Sequence, residues 1–445
     1  MKKLFYSLIL SLILCKNSFA EYTISLNKVK NENTSNDKLE SNSDSTILNE
    51  ILANKKTTEN KEGGQLSIGG SFHFFLSNTN EKQIYESDDI QNMMQNEGIL
   101  NIVHKNDIND YISYSISSQI KKKFSDKLRI RNVFEIENKN LGKMQLSNYR
   151  KIQDDMFVNT YWVKAGSDGA WDSNLNLLLN ENNIPNDHIT NGVLTGYDTA
   201  LTYGADTDSS TIAYYTPSSN PLVLGISYTP RTYYNEVKNP LFNYKDIFTG
   251  ALFYSKDIND DLNVKLSTLG EIGSPAANTS QDPIEKERKI TGLQAIHFGG
   301  AIKYSTLSLA GSFGFLGDSG HDAKLSLIEG DSQIFGKSQD SYYYDLAAGY
   351  DINEKTKVSL SYFHSKYSQD YKGQDYTTEN GNIVTGQATL DNMSLAMDYK
   401  LYGDALTPYL EINKFTIKDN DAIPEEQQRE SNDGWVIILG AKSKF

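Results

Sequence analysis

The chain has a single cysteine, Cys15, and it lies within the first twenty residues. A mature protein cut after Ala20 has none, so its stability must come from a packed core or a closed backbone ladder rather than from disulfides. After residue 20 no apolar run approaches the ~20 residues that a membrane-spanning helix requires, which excludes a helical membrane protein. Proline is scarce, with 9 in 445 residues, and the mean hydropathy is −0.52. The six histidines, at positions 73, 104, 188, 297, 321 and 364, are far apart and show no metal-ligand spacing. No nucleophile elbow and no phosphate-binding glycine loop is present. The sequence therefore points to no metal, no cofactor and no enzyme. A formal net charge of −14 argues against nucleic acid as a partner.

What is present begins with the charge order of an export signal: Lys2 and Lys3 as a basic n-region, an apolar core from Leu4 to Leu14, then Ser18-Phe19-Ala20 as a small-x-small cleavage site. Residues 1–20 are read as a signal peptide with Glu21 as the mature start. Loss of Lys2, Lys3 and Lys16 with it takes the formal charge from −14 to −17. Leu14 is too bulky for the residue that precedes a lipid-modified cysteine. Residues 21–62 are rich in Asn, Ser, Lys, Glu and Thr, with one short apolar patch at Ile47, Leu48, Ile51 and Leu52. They are expected to form a mobile polar periplasmic extension.

From residue 63 to Phe445 the pattern is alternation. In the terminal GWVIILGAKSKF, Trp435, Ile437, Leu439, Ala441, Ser443 and Phe445 share one face and Val436, Ile438, Gly440, Lys442 and Lys444 the other. Ten steps at ~3.3 Å, tilted by about 40°, project to about 25 Å, the height of the apolar band on an outer-membrane barrel. Fifteen further amphipathic segments precede it, starting at GQLSIGGSFHFF. Their apolar sides are rich in the chain's 28 Tyr and 18 Phe, many near segment ends, as in the aromatic girdles of a bilayer barrel. The opposite sides carry Ser, Thr, Gly, Asp, Asn and Lys.

The connections separate a membrane barrel from a soluble β-sandwich. After the even-numbered segments they are short: 106–110, 139–140, 218–221, 259–260, 305–306, 353–356 and 403–405. After the odd-numbered ones most are long and polar: 79–97, 148–208, 231–245, 274–291, 318–340, 370–388 and 419–433. All tight turns thus lie at one end. The expected fold is all-β, a transmembrane antiparallel β-barrel of 16 strands with short periplasmic turns and long outer loops. Only the second outer link, 122–126, breaks the rule.

Three stretches, STIAYYTPSSNPLVLGISYTP (210–230), LSLAGSFGFLGDSG (307–320) and the terminal twelve residues, make the chain resemble the Gram-negative general porins, in particular the alphaproteobacterial type. The resemblance implies a sixteen-stranded homotrimeric channel in the bacterial outer membrane, surrounded by lipid, passing small hydrophilic solutes and ions by passive diffusion. It further implies a long third outer loop folded into the lumen and a terminal aromatic, Phe445, read by the barrel-assembly machinery. The short second outer link departs from the family, in which that loop often reaches a neighbouring subunit. Two other readings stand beside this one: a barrel whose loops adhere to a surface, and a channel specific for one solute.

Within that frame the 148–208 loop, far longer than the ~12 to 15 residues above which connections are usually functional or disordered, matches the constriction loop. It contributes Asp154, Asp155, Asp168 and Asp172 as the acidic side of a constriction, with Trp162 and Trp171 as wall contacts. On the fourth segment Lys127, Arg129, Arg131, Val133, Glu135 and Glu137 share a face opposite Leu128, Ile130, Phe134 and Ile136. An Arg or Lys facing lipid at mid-bilayer costs roughly 2 to 4 kcal/mol, so the charged face must point inward. Lys127, Arg129 and Arg131 are the expected basic wall, set against the loop acids to create a transverse field. Pairing of these cations with Glu135, Glu137 or loop acids is the plainer alternative. Asp206 and Asp208 are spaced for calcium or, more simply, for water.

Overall fold

The computed structural model describes residues 22–25, 64–81, 91–123, 129–148, 152–167, 209–231, 244–275, 289–290, 292–317, 319, 322–324, 333–373, 384–402, 405–420 and 432–445. Sixteen antiparallel strands form one ring. They are β1 (Gln65–Glu81), β2 (Gln91–Asp107), β3 (Ile112–Lys123), β4 (Arg129–Asn138) and β5 (Gly142–Ser147). Next come β6 (Thr211–Tyr215), β7 (Leu222–Arg231), β8 (Tyr244–Asn259), β9 (Leu262–Pro275), β10 (Leu293–Tyr304) and β11 (Leu307–Gly317). The ring is completed by β12 (Gln333–Asp351), β13 (Thr356–Gly373), β14 (Val384–Tyr399), β15 (Leu406–Asn420) and β16 (Asn432–Lys444).

Each strand pairs with its successor, and β16 closes on β1 from Gly434↔Glu81 to Lys444↔Ser71. At the seam Gly70 and Phe445 exchange backbone hydrogen bonds of 2.9 and 3.1 Å. Closure leaves no edge in the ring, the condition for a sheet to stand in hydrocarbon. Outside the ring, Tyr22–Ser25 pairs with the start of β1, and Lys289–Ile290 pairs with Asp322–Lys324. The remainder of residues 1–62 lies outside the described residues.

Four of the tight turns use one device. The side-chain oxygens of Asn109, Asn138, Asn259 and Asn353 each accept from the backbone N–H groups two and three residues on, at 2.9 to 3.1 Å. An asparagine that bonds its own chain in this way mimics a backbone turn and fixes hairpin register. At the opposite end the ladders continue further than alternation indicates. β1 and β2 stay paired to Thr79↔Gln91, and β12 and β13 to Gln333↔Gly373. The connections expected at 79–97 and 318–340 are shorter by those residues. Strict alternation of apolar and polar residues lapses in these stretches, as in QNMMQNE (91–97) and QIFGKSQD (333–340), while the backbone ladder persists.

The two faces divide by chemistry. Outward stand Ile130, Leu224, Ile226, Leu346, Leu360, Met393, Leu395 and Trp435, all exposed large apolar side chains. Inward stand buried Ser227, Thr249, Ser267, Ser312, Ser359, Ser361 and Ser394, with Ala and Gly among them. Small polar side chains on the concave side leave room for other chain and for water.

Candidate functional site

Arg129 and Arg131 lie on β4 with Ile130 between them, and the strand alternates as its charges require. Ile130 is 57% exposed on the outer face, while Arg131 is 3% exposed on the inner one, opposite Gln119 of β3. Further along the same inner face Glu135 accepts from Ser115 Oγ at 3.0 Å and from Lys143 Nζ of β5 at 3.0 Å.

The described part of the third outer loop, 152–167, begins as the one-turn helix α1 (Ile152–Met156) and continues through a 3-10 turn at Thr160–Trp162. Asn159 caps that turn by accepting from Tyr161 N at 3.0 Å. Ile152 and Met156 are buried and face Gly225 of β7, where a β-carbon would stand 2.3 Å from Ile152 Cδ1. From there the segment meets inward-facing side chains all the way to β16. Val158 N donates to Ser267 Oγ at 3.0 Å, and Val158 O lies 3.0 Å from His297 Nε2, whose ring stacks on Phe157 at 3.9 Å. Thr160 Oγ1 donates to Asp345 at 3.2 Å, Ala165 N to Ser359 Oγ at 2.7 Å and Gly166 N to Asp398 at 2.7 Å. Lys442 Nζ of β16 donates to Gly166 O at 2.7 Å.

The deepest of these contacts is ionic. Glu411 of β15, with no exposed side-chain surface, accepts from Lys164 Nζ at 3.0 Å, Ser394 Oγ at 2.9 Å, and Ser167 N and Oγ at 2.9 and 2.5 Å. Four donors on one carboxylate offset the desolvation that makes buried ion pairs costly, and removal of one partner from such a pair costs ~3 to 5 kcal/mol. Two glycines let the loop backbone approach. A β-carbon on Gly299 would stand 1.7 Å from Val158 O, and one on Gly349 would stand 2.4 Å from Val163 O.

The expected site residues fall as follows. Asp155 is half-buried, 2.8 Å from the Tyr215 hydroxyl that donates to it and 4.0 Å from Lys143 Nζ, whereas Asp154 on the same helix is exposed. The structure thus brings Asp155 to a cation of β5, a residue that sequence reasoning missed although its inward parity beside Met144 was readable. Trp162 donates from Nε1 to Phe157 O at 3.2 Å, and its ring lies 3.4 Å from Lys265 Nζ of β9. Phe445 sits at the seam of the ring. Lys127, Asp168, Asp172 and Trp171, with Asp206 and Asp208, lie outside the described residues. Glu411, Asp345 and Asp398 were also missed; their inward positions between apolar outward neighbours carry the same signal that oriented β4. Lys164 and Ser167 carry no such signal, because nothing periodic marks a loop.

The family model for Gram-negative porins matches residues 52–420. An uncharacterized protein of Rickettsia felis is 29% identical over 211 residues, which cover 46% of this chain and 42% of that protein. One from Rickettsia bellii is 27% identical over 274 residues, covering 53% and 56%. The match thus spans about half the length of these curated relatives. Among solved structures, Salmonella typhi OmpF in complex with daunomycin aligns with a TM-score of 0.53 at 12% identity, covering 86% of this chain and 98% of that one. The anion-selective porin from Comamonas acidovorans aligns with a TM-score of 0.53 at 13% identity, covering 86% and 100%. At such identities these two likenesses speak for the fold alone. The match over 52–420 settles the family: the chain belongs to the Gram-negative porins, proteins of the bacterial outer membrane.

Proposed function

We propose that the protein is a water-filled channel through which small hydrophilic solutes and ions diffuse passively, without turnover or energy coupling. The observation that carries this reading is the course of residues 152–167, held against inward side chains from β7 to β16 by the bonds of Val158, Thr160, Ala165, Gly166 and Ser167. In this reading the third outer loop folds into the lumen and narrows it. Asp154, Asp155, Asp168 and Asp172 supply the acidic side, Lys127, Arg129 and Arg131 the basic side, and Lys143 joins the wall cations. A field fixed across a narrow aqueous section sorts solutes by charge as well as by size.

The same proposal includes export by residues 1–20, a mobile periplasmic extension at 21–62, assembly as a homotrimer in outer-membrane lipid, and recognition of Phe445 by the barrel-assembly machinery. Liposome swelling with sugars of increasing mass tests the channel. Rates that fall smoothly with mass are expected. Saturable uptake of one sugar would indicate a solute-specific channel, and no permeation at all would indicate a plugged barrel that displays its loops for adhesion.

A further inference from the structure

The outer wall carries a furrow whose floor is glycine. Gly300 of β10 and Gly311 of β11 are directly paired on the outward face, with Leu266 on one side and Leu346 on the other. The furrow continues over Leu360 and Met393, with a volume of about 750 Å³, within the roughly 300 to 1,000 Å³ of ligand clefts. Its lining is apolar and it opens toward the bilayer.

One row nearer the long-loop end, the same face turns polar. Tyr344, His364 and Asp391 are consecutive partners on β12, β13 and β14. Asp391 lies 2.8 Å from His364 Nδ1 and accepts from the Tyr362 hydroxyl at 2.5 Å. Tyr344 packs on His364 at 4.9 Å between ring centroids. Lys366 stands one row further out, between Tyr342 and Thr389. Lys414 of β15, opposite Met393, lies 5.6 Å from the Trp435 ring. Among the residues whose side chains are described, the local cations are therefore Lys366 and Lys414, with His364 between them. The Asp391 carboxylate already accepts inside the cluster, and Asp433, the other acid of this row, lies beyond Thr416 on β16.

We propose that this furrow and its polar rim bind one phosphate-bearing lipid of the surrounding leaflet. An acyl chain lies along Gly300 and Gly311 between the leucines, and the phosphate is met by Lys366 and His364, with the Tyr344 hydroxyl as a further donor. Both halves of the assignment are needed. Glycines on a smooth lipid-facing wall would favour no particular chain, but a groove ending at cations matches an amphiphile with an anionic head.

The inference rests on the outer-membrane placement of the family and is independent of what the pore conducts. The protein in detergent is offered phosphatidylglycerol and phosphatidylcholine at equal concentration, and retained lipid is counted by native mass spectrometry. Phosphatidylglycerol is expected to be retained at one per chain in preference to phosphatidylcholine. Lys366→Gln combined with His364→Gln should lower its retention about tenfold, the scale of one hydrogen bond to a charged group. Gly311→Leu should lower retention of both lipids by filling the furrow. Gly250→Leu, on a part of the wall with nothing within 4 Å of its β-carbon position, should change neither. Equal retention of the two lipids by the wild type, or unchanged retention in the Gly311→Leu variant, overturns the proposal. Bilayer conductance measured on the same preparations separates loss of the lipid from loss of the channel, and if a variant does not fold, the wild-type lipid preference alone decides.

Discussion

Arginine on a membrane strand has one tolerable direction, and β4 shows how strongly that constraint acts on a single side chain. Arg131 is buried on the inner face while its neighbour Ile130 is among the more exposed residues of the outer one. Reversal of charge at Arg129 and Arg131 together tests whether they border the narrow section. Arg129→Glu with Arg131→Glu should move the reversal potential toward cations in a planar bilayer under a tenfold salt gradient. The shift should be a substantial part of the roughly 59 mV that a perfectly selective pore would give. An unchanged potential would remove these arginines from the conducting path. The orientation of Arg131 was legible because desolvation of a guanidinium is a local fact about one strand. The partner of Glu135, further along the same face, was less so: Lys143, 3.0 Å from Glu135 and 4.0 Å from Asp155, lies eight residues on in the next strand, and only the hairpin at Asn138 brings it back.

At the scale of elements, tight turns and strand parity were the legible parts, since Asn109, Asn138, Asn259 and Asn353 act within three residues of themselves. The course of the third loop was not legible. Its bonds join residues separated by long stretches of chain, such as Val158 to Ser267, Ala165 to Ser359 and Ser167 to Glu411. No repeat or spacing encodes such pairings, and the resemblance supplied only the expectation that the loop turns inward. The absence of cysteine from residues 21–445 makes a direct test simple. Ala165→Cys with Ser359→Cys, at a point where the loop N–H and the wall hydroxyl are 2.7 Å apart, should oxidise to a cross-link in the folded protein. The oxidised variant should conduct as the wild type does, with reduced loop noise in single-channel traces. Failure to cross-link, with the barrel intact by its resistance to detergent at room temperature, would place this part of the loop away from β13.

For the whole molecule, the ring is closed by the last strand, so assembly depends on the final residues finding the first. Phe445 exchanges backbone bonds with Gly70 where β16 meets β1. Removal of Phe445 should slow membrane assembly and leave unfolded chain in the periplasm, read as a lower yield of the fast-migrating, heat-modifiable form on gels. Protein that does assemble should conduct normally, since no constriction residue is touched. Equal yields would show that the terminal ring is dispensable.

The long ladders at the loop end bear on what a solute meets first. β12 runs for 19 residues, roughly 63 Å of extended chain, and at a tilt of about 40° it rises close to 50 Å against an apolar band of about 25 Å. Such a strand cannot be accommodated by the membrane alone. The wall must stand clear of the headgroups as a stiff collar, so that a permeant ion enters the protein's own field about 20 Å before it reaches the level of the lipid. In the proposed channel, selection by charge would begin in that antechamber, where an acidic chain can enrich or repel solutes ahead of any narrower section.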